Sequence, residues 1–518
     1  MNNKPGRFLE RPASRTIAAI LCAFLFAVAA CRPSPSGPPW AAPGVDPVLA
    51  ELAEFLAIPN VASDAVNIRR NAEHLAGMMR RRGIETRLLE FAEAPPVVYG
   101  EIRSPGARRT LLVYAHYDGQ PVDPARWASD PWTPVLRAGN LDDGAPIVPF
   151  ETLPEGPEGD EWRIYARGAS DDKGTIAAFL AALDKLKAEG VPLSVNIKLL
   201  FDGEEEIGSP HLESILKENL ELFQADAMLL CDGPVHQTRR PQIVFGARGI
   251  IGLEMTVYGP NRALHSGHYG NWAPNPAAQL SGLLASMRDP QGRILISGYY
   301  DDVRPLTASE REAIEKAPRV EENLLHEFAL AWSEGGGARI EELIMRPALN
   351  VRGISSGGVR EKAANAVPTE AAASLDFRMV ADQTPERVRD LVEAHIRNVG
   401  WTIVRETPDE ETRRKNPRLV RMEWEGGYPA YRAPLDAPFS QALVRTLVDV
   451  VGEDLVVMPA LGGSIPMPLF DRLLGIPIAL LPIANHDNNQ HGPNENLRIK
   501  NLRDGVAMHA ALLSSLDW

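Results

Sequence analysis

Residues Tyr165–Gly174 read YARGASDDKG. A turn of small residues leads to two adjacent acids and a Lys-Gly step. An apolar run with helical period, Thr175 to Glu189, begins at once. Acids at a helix entry are favoured by the dipole there, so the stretch on its own reads as a capped helix start. It has company, however. Four other acid or histidine sites each follow an apolar, strand-like run.

Thr110 to Ala115 (TLLVYA) suits a buried strand and delivers His116-Tyr117-Asp118-Gly119. Val195 to Phe201 (VNIKLLF) ends in Asp202-Gly203-Glu204-Glu205-Glu206-Ile207-Gly208-Ser209. Asp226 to Cys231 (DAMLLC) ends at Asp232-Gly233, and Ile476 to Ile483 precedes NHDNNQHGPNE, residues 485–495. Helical periods fall on Pro47 to Ile58, Asn67 to Arg82 and about Pro210 to Asn219, and a long loop carries Trp127 and Trp132. Strands alternating with helices predict a parallel sheet, and such sheets bind ligands at the carboxyl ends of their strands. His116, Glu205, Glu206 and Asp232 all fall there.

From about Arg248 the texture changes. Ile250 to Tyr258, Ala371 to Val380 and Leu419 to Trp424 read as strands. Pro274 to Met287, the charged stretch Thr307 to Glu334 and Pro385 to Asn398 read as helices. Near Gly426 the chain resumes its first pattern, with a helix at Phe439 to Val451. The fold class is therefore α/β, with a mostly parallel central sheet flanked by helices and an inserted, smaller α+β domain. The boundaries are 47–247 and 426–518 for the main domain and 248–425 for the insertion.

The chain has 518 residues, 44% hydrophobic and 24% charged, with a net charge of -14. That surplus of acid argues against nucleic acid as a partner, since phosphate binding needs basic surface. The N-terminus differs from the rest. Lys4, Arg7, Arg11 and Arg15 precede an apolar run, Ile17 to Ala30, which is too short for an ordinary membrane span. Val28-Ala29-Ala30-Cys31 and a Pro/Ser/Gly tether follow, a layout that resembles a bacterial lipoprotein signal. The resemblance implies a signal over residues 1–30, a tether over 31–46 and lipidation of Cys31. It places the protein on the periplasmic face of the envelope, with Arg32 favouring the outer membrane. Cys22 leaves with such a signal, and Cys231 reads as a buried thiol, so no internal disulfide is expected.

His116 and Asp118 are two apart at a strand end and project from one face, where a carboxylate can orient an imidazole. A solvated turn explains such a pair equally well. His116, Asp171, Glu206, Asp232 and His491 form a mixed imidazole and carboxylate set. It suits two divalent ions, zinc first, with manganese or cobalt as alternatives. Asp171 is the choice for a bridging ligand. Two such ions can polarise a carbonyl and generate hydroxide near neutral pH. A neighbouring acid, Glu205, is placed to carry the proton.

In this order, HYDG, RGASDDKG, DGEEEIGS, LLCDG and HGPNE resemble the dinuclear-zinc hydrolases. That family includes carnosinase-type dipeptidases, glutamate carboxypeptidase, acetylornithine deacetylase and succinyl-diaminopimelate desuccinylase. The similarity spans roughly Pro47 to the C-terminus. It implies a catalytic α/β domain with an inserted lid and dimerisation domain. Carried over by motif, the metal ligands are His116, Asp171, Glu206, Asp232 and His491, with Asp118 behind His116 and Glu205 as general base. Asp172 competes with Asp171, and His486 with His491; the flanking Lys-Gly and Gly-Pro-Asn-Glu favour the second member of each comparison, Asp171 and His491.

The inserted domain carries further pieces. Leu264-His265-Ser266-Gly267 resembles the segment whose histidine reaches the partner subunit's site in dimeric members. Asn365-Ala366-Val367-Pro368 and Arg378 resemble the strand that captures the substrate carboxylate, a task suited to a planar guanidinium. Gly462-Gly463-Ser464-Ile465-Pro466 resembles a substrate-binding loop of the dipeptidase branch. His211 and His236 fit no motif and read as structural or surface residues. The expected function is metal-dependent hydrolysis of an amide next to a free C-terminal carboxylate in dipeptides or short peptides. An N-acyl amino acid deacylase is the nearest rival, and a non-catalytic peptide-binding lipoprotein is a rival of another class.

Overall fold

A computed structural model describes residues 37–518. The signal, Cys31 and the tether up to residue 36 lie outside the described residues. The main sheet has eight strands. Their order is Glu85–Leu89, Val97–Ile102, Asn196–Asp202, Thr110–His116, Ala227–Leu230, Ile478–Leu480, Gln242–Val244 and Val456–Met458.

The four central strands, from Asn196–Asp202 to Ile478–Leu480, pair in parallel. Outside them the pairing is mixed. The two strands at the N-terminal edge are antiparallel, and so is the step from Ile478–Leu480 to Gln242–Val244. The sheet is thus parallel at its centre and mixed overall. The central strands are buried almost throughout because helices cover both faces. Helices Pro47–Leu56, Lys173–Glu189 and Ile499–Ser515 close one apolar core, and Leu212–Glu218 and Met467–Leu474 close the other.

A second, five-stranded sheet is built from residues 249–428. Its order is Ala348–Ser355, Glu370–Met379, Gly249–Tyr258, Leu419–Tyr428 and Thr402–Val404. Helices Pro276–Met287 and Pro385–Asn398 bury their apolar stripes on it, giving a separate core around Leu253, Leu375 and Phe377. The charged stretch read as one helix over Thr307 to Glu334 is two, Ala308–Lys316 and Glu321–Glu327. Ala317 is driven to extended backbone by the proline that follows it.

The loop carrying Trp127 and Trp132 is followed by short strands of a third sheet, ordered Asn496–Arg498, Arg163–Tyr165, Val135–Arg137 and Ile147–Val148. Two- and three-residue strands leave no periodicity to read. Yet this sheet matters for the site, because Asn496–Arg498 pairs antiparallel with Arg163–Tyr165. That pairing brings the segment after Tyr165 against Glu495.

Candidate metal centre

Four neighbouring parallel strands each hand one group to the same place. His116 ends its strand, Glu206 and Asp232 lie just past theirs, and His491 follows the strand Ile478–Leu480 on a longer loop. Asp171 arrives from the entry to helix Lys173–Glu189. The five side chains assemble into two triads, His116-Asp171-Asp232 and Asp171-Glu206-His491. In each triad the ligand atoms lie within 4.8 Å of one another. Asp171 belongs to both. Its Oδ1 is 2.9 Å from His116 Nε2, and its Oδ2 is 3.2 Å from His491 Nε2. His491 Nε2 also lies 3.2 Å from Glu206 Oε2. Asp172 faces elsewhere, one oxygen accepting the backbone N–H of His116 at 3.3 Å.

The Tyr165–Gly174 stretch is held from behind by Glu495. This fully buried carboxylate accepts from the Arg167 guanidinium, from the backbone N–H groups of Gly168, Ser170 and Asp171, and from the Ser170 hydroxyl, all at 2.7–3.0 Å. Lys173, also buried, donates to the carbonyls of Phe55 at 2.8 Å and Ile58 at 2.9 Å. Gly174 admits no side chain, since a Cβ there would stand 2.2 Å from the Ala169 carbonyl oxygen. Sequence reading found Glu495 only as the end of a motif. Its role depends on residues more than three hundred positions away, and no local pattern carries that.

Asp118 organises the opposite wall. Its Oδ1 lies 3.3 Å from His116 Nδ1, and its two oxygens accept the backbone N–H groups of Glu205 and Glu206, both at 3.1 Å. One carboxylate thus fixes a histidine and the loop bearing two acids. Glu204 points away and binds His211 Nδ1 at 2.9 Å. Gln120 and Gln490 donate to Glu206 Oε2 at 2.8 Å and Asp171 Oδ2 at 2.9 Å, leaving each carboxylate oriented.

The charges of the cluster reveal what it is made to hold. Burial opposes protonation of His116, but hydrogen bonding to Asp118 and Asp171 outweighs it and lifts its pKa well above the usual imidazole value. Hydrogen bonds to Asp171 and Glu206 raise His491 to about 10. Burial, together with the Asp171 carboxylate, pushes Asp232 to about 6. Burial, with Asp232, Asp171 and Glu206 close by, pushes Glu205 to about 8. Asp232 Oδ1 is buried without a hydrogen-bond partner. Crowded carboxylates, an orphaned oxygen and two imidazoles whose protonated forms those carboxylates favour fit a pair of divalent cations, which would displace the imidazole protons.

The predicted substrate residues gather at two places. Arg378 Nη1 donates to Ser464 Oγ at 2.8 Å, joining the five-stranded sheet to the Gly462-Gly463-Ser464 loop, and its Nε reaches Asp376 at 3.3 Å. Arg248 joins them, a residue that sequence reading passed over as a boundary. Its Nε donates to the Gly462 carbonyl at 3.0 Å, and its backbone N–H to that of Gly463 at 3.2 Å. Burial and the Arg378 charge lower its pKa to about 10, and among the described residues no carboxylate pairs with it. Tyr428 senses both ends of the cleft: burial raises its pKa to about 12, Glu205 adds to the rise and Arg378 opposes it.

His265 and Asn365 meet at the second place. Leu264–His265 pairs antiparallel with Ala366–Val367, and Ser266 N–H donates to the Asn365 carbonyl at 2.9 Å. Both side chains are exposed, and among the described residues neither belongs to a triad. Cys231 is buried and free.

Comparison with known proteins gives the family and the fold. The family model described as Peptidase family M20/M25/M40 matches residues 112–515. A metallo-carboxypeptidase structure of the M20 family from Sulfolobus solfataricus superposes with a TM-score of 0.72 at 31% identity, covering 91% of this chain and 99% of that one. The Cys-Gly metallodipeptidase of Saccharomyces cerevisiae is 29% identical over 430 residues, 81% of this chain and 82% of its own length. Human Beta-Ala-His dipeptidase is 26% identical over 435 residues, 80% of this chain and 76% of its own. With its strand-end acids and histidines in place and most of its length matched, the chain belongs to the M20/M25/M40 peptidase family.

Proposed function

We propose that this protein is a two-metal hydrolase that cleaves the amide of dipeptides or short peptides next to a free C-terminal carboxylate. The observation that carries the proposal is the pair of triads sharing Asp171, with the Glu205 carboxyl beside them. His116, Asp171 and Asp232 would hold one ion, and Asp171, Glu206 and His491 the other. Two such ions polarise a scissile carbonyl and lower the pKa of bound water toward neutrality.

The chain's own groups do the rest. Asp118 fixes the His116 ring and, through two backbone N–H groups, aims Glu205 and Glu206. Glu205 takes the proton of the attacking water and returns it to the leaving nitrogen. The Gly462–Ser464 loop, Arg378 and Arg248 receive the substrate carboxylate, the guanidiniums supplying charge-assisted hydrogen bonds. Asn365 lines the approach from the inserted domain.

Zinc is the proposed metal, from the mixed imidazole and carboxylate ligands. We propose that the protein works as a homodimer through its inserted domain, with His265 reaching the partner's site, and that a lipid on Cys31 holds it on the periplasmic side of the envelope. The relatives' activities on Cys-Gly and β-Ala-His support the dipeptide class. The test is hydrolysis by metal-reconstituted protein of dipeptides, C-terminally amidated dipeptides and N-acyl amino acids. Turnover of free-acid dipeptides in preference to the other two supports the proposal. Preference for N-acyl amino acids would reassign it to deacylation.

A further inference from the structure

A cavity of about 220 Å³ lies beside the site and is used by nothing described so far. Its rim includes Pro234, two residues beyond Asp232, and Gly462, next to Gly463 of the proposed carboxylate loop. Most of its wall is apolar, with Ile344 and Leu461 among the lining side chains. Its floor is polar. Glu341 is 2% exposed, and its Oε2 makes no hydrogen bond. Arg339 Nε stands 3.5 Å from that oxygen, and His236 Nε2 stands 3.7 Å from Oε1, distances of charge balance rather than hydrogen bonding. His486 lines the same cavity, and its Nδ1 is buried without a partner.

Buried polar atoms are almost always hydrogen-bonded, and one left without a partner costs free energy. Here two such atoms, Glu341 Oε2 and His486 Nδ1, belong to residues that line one largely apolar cavity of a size that admits a side chain. His236 and His486, two histidines that the metal centre does not use, both line this cavity. The segment carrying Glu341, helix Ile340–Ile344, belongs to the inserted part of the chain, so the cavity closes between it and the main sheet.

We propose that this cavity is the pocket for the side chain of the peptide's N-terminal residue, and that it selects an apolar arm ending in a hydrogen-bond donor, which Glu341 and His486 would receive. The N-terminal residue is the fitting occupant because the Arg378 and Ser464 side is taken by the carboxylate, while Pro234 of the cavity lining follows Asp232 by two residues. The assignment rests on the dipeptidase reading above and specifies its substrate class.

The experiment uses metal-reconstituted protein and the near-isosteric peptides Gln-Gly, Met-Gly and Glu-Gly, with Lys-Gly and Gly-Gly. Wild-type protein is expected to favour Gln-Gly and Lys-Gly over Met-Gly by about 10-fold or more in kcat/KM, as one hydrogen bond to a charged acceptor allows, and to disfavour Glu-Gly further. Glu341→Gln should shrink the Gln-Gly over Met-Gly preference and leave Gly-Gly unchanged. Ile344→Phe, which narrows the cavity and leaves the Glu341 carboxylate in the chain, should depress every long side chain and spare Gly-Gly. Equal rates for Gln-Gly, Met-Gly and Glu-Gly in the wild type would overturn the pocket while leaving the dipeptidase reading intact. So would an equal loss on all peptides, Gly-Gly included, in both variants. No turnover of any dipeptide by fully metallated protein would overturn that reading and the pocket with it.

Discussion

The strand-end cluster and the His265–Asn365 ladder are built to opposite rules. In the cluster, His116, Asp118 and Asp171 are buried, and each is held by at least two polar partners, at least one of them from another segment. In the ladder, a two-residue strand pairs with another, and both His265 and Asn365 present exposed side chains. The first is complete within one chain and rigid, as a metal centre requires. In the second, the His265 side chain is held by neighbours in its own segment, Gly267 N–H donating to His265 Nδ1 at 3.1 Å and the His268 ring lying against it, and the polar faces are open to solvent.

Disabling the cluster should therefore cost far more than disabling the ladder. The largest effect is expected at Glu205. Glu205→Ala should keep its metal, by elemental analysis, and lose at least about 10³ in kcat, within the range for general-base removal. Full turnover in that variant would remove the proposed base. Glu495→Gln tests the rigidity itself. It leaves Arg167 buried without its counter-charge, so urea unfolding should show a loss of about 3 kcal/mol or more. A loss below about 0.5 kcal/mol would mean that the Arg167–Asp171 segment is held by something else.

The junction between the two regions comes next. Arg378→Leu and Arg248→Gln should each raise KM for free-acid dipeptides about 10-fold or more, with a smaller change for the amidated peptides. Equal effects on both substrates would contradict a carboxylate site. The smallest effect belongs to the ladder. His265→Ala and Asn365→Ala should leave unfolding free energy within about 0.5 kcal/mol of wild type, as exposed substitutions usually do. Mixing His265→Ala with Glu205→Ala subunits should restore part of the activity if His265 acts across a dimer. No restoration, with sedimentation showing an active monomer, would place its action within the chain.

The same contrast governs what could be read before the structure. Four of the five candidate ligands follow an apolar run such as TLLVYA or DAMLLC, and Asp171 follows a turn at a helix entry, so strand ends and candidate ligands are legible together. Asp171 over Asp172, and His491 over His486, came from flanking residues, and the geometry groups Asp171 and His491 in the triads. The antiparallel edge strands escaped because Glu85–Leu89 is half exposed and alternates weakly. Arg248, Glu341 and the Glu495 network escaped for a different reason. Arg248 bonds a loop 214 residues away and Glu495 a guanidinium 328 residues away, and Glu341 faces His236 from another part of the chain. Packing alone brings these groups together, and the unbonded Oε2 of Glu341 becomes visible only in three dimensions.

The central claim is that two cations share Asp171, and metal counting tests it most directly. Reconstituted wild-type protein, analysed by mass spectrometry under native conditions, should hold about two divalent ions per chain. Binding at pH 7 should release protons, because His116 and His491 carry them when no ion is present. Asp171→Asn, which removes a ligand from both triads, should weaken both sites by more than about 100-fold, exceeding the usual cost of losing an outer-shell partner. A folded wild-type protein that binds no divalent ion, or an Asp171→Asn variant that still holds two as tightly, would contradict the account.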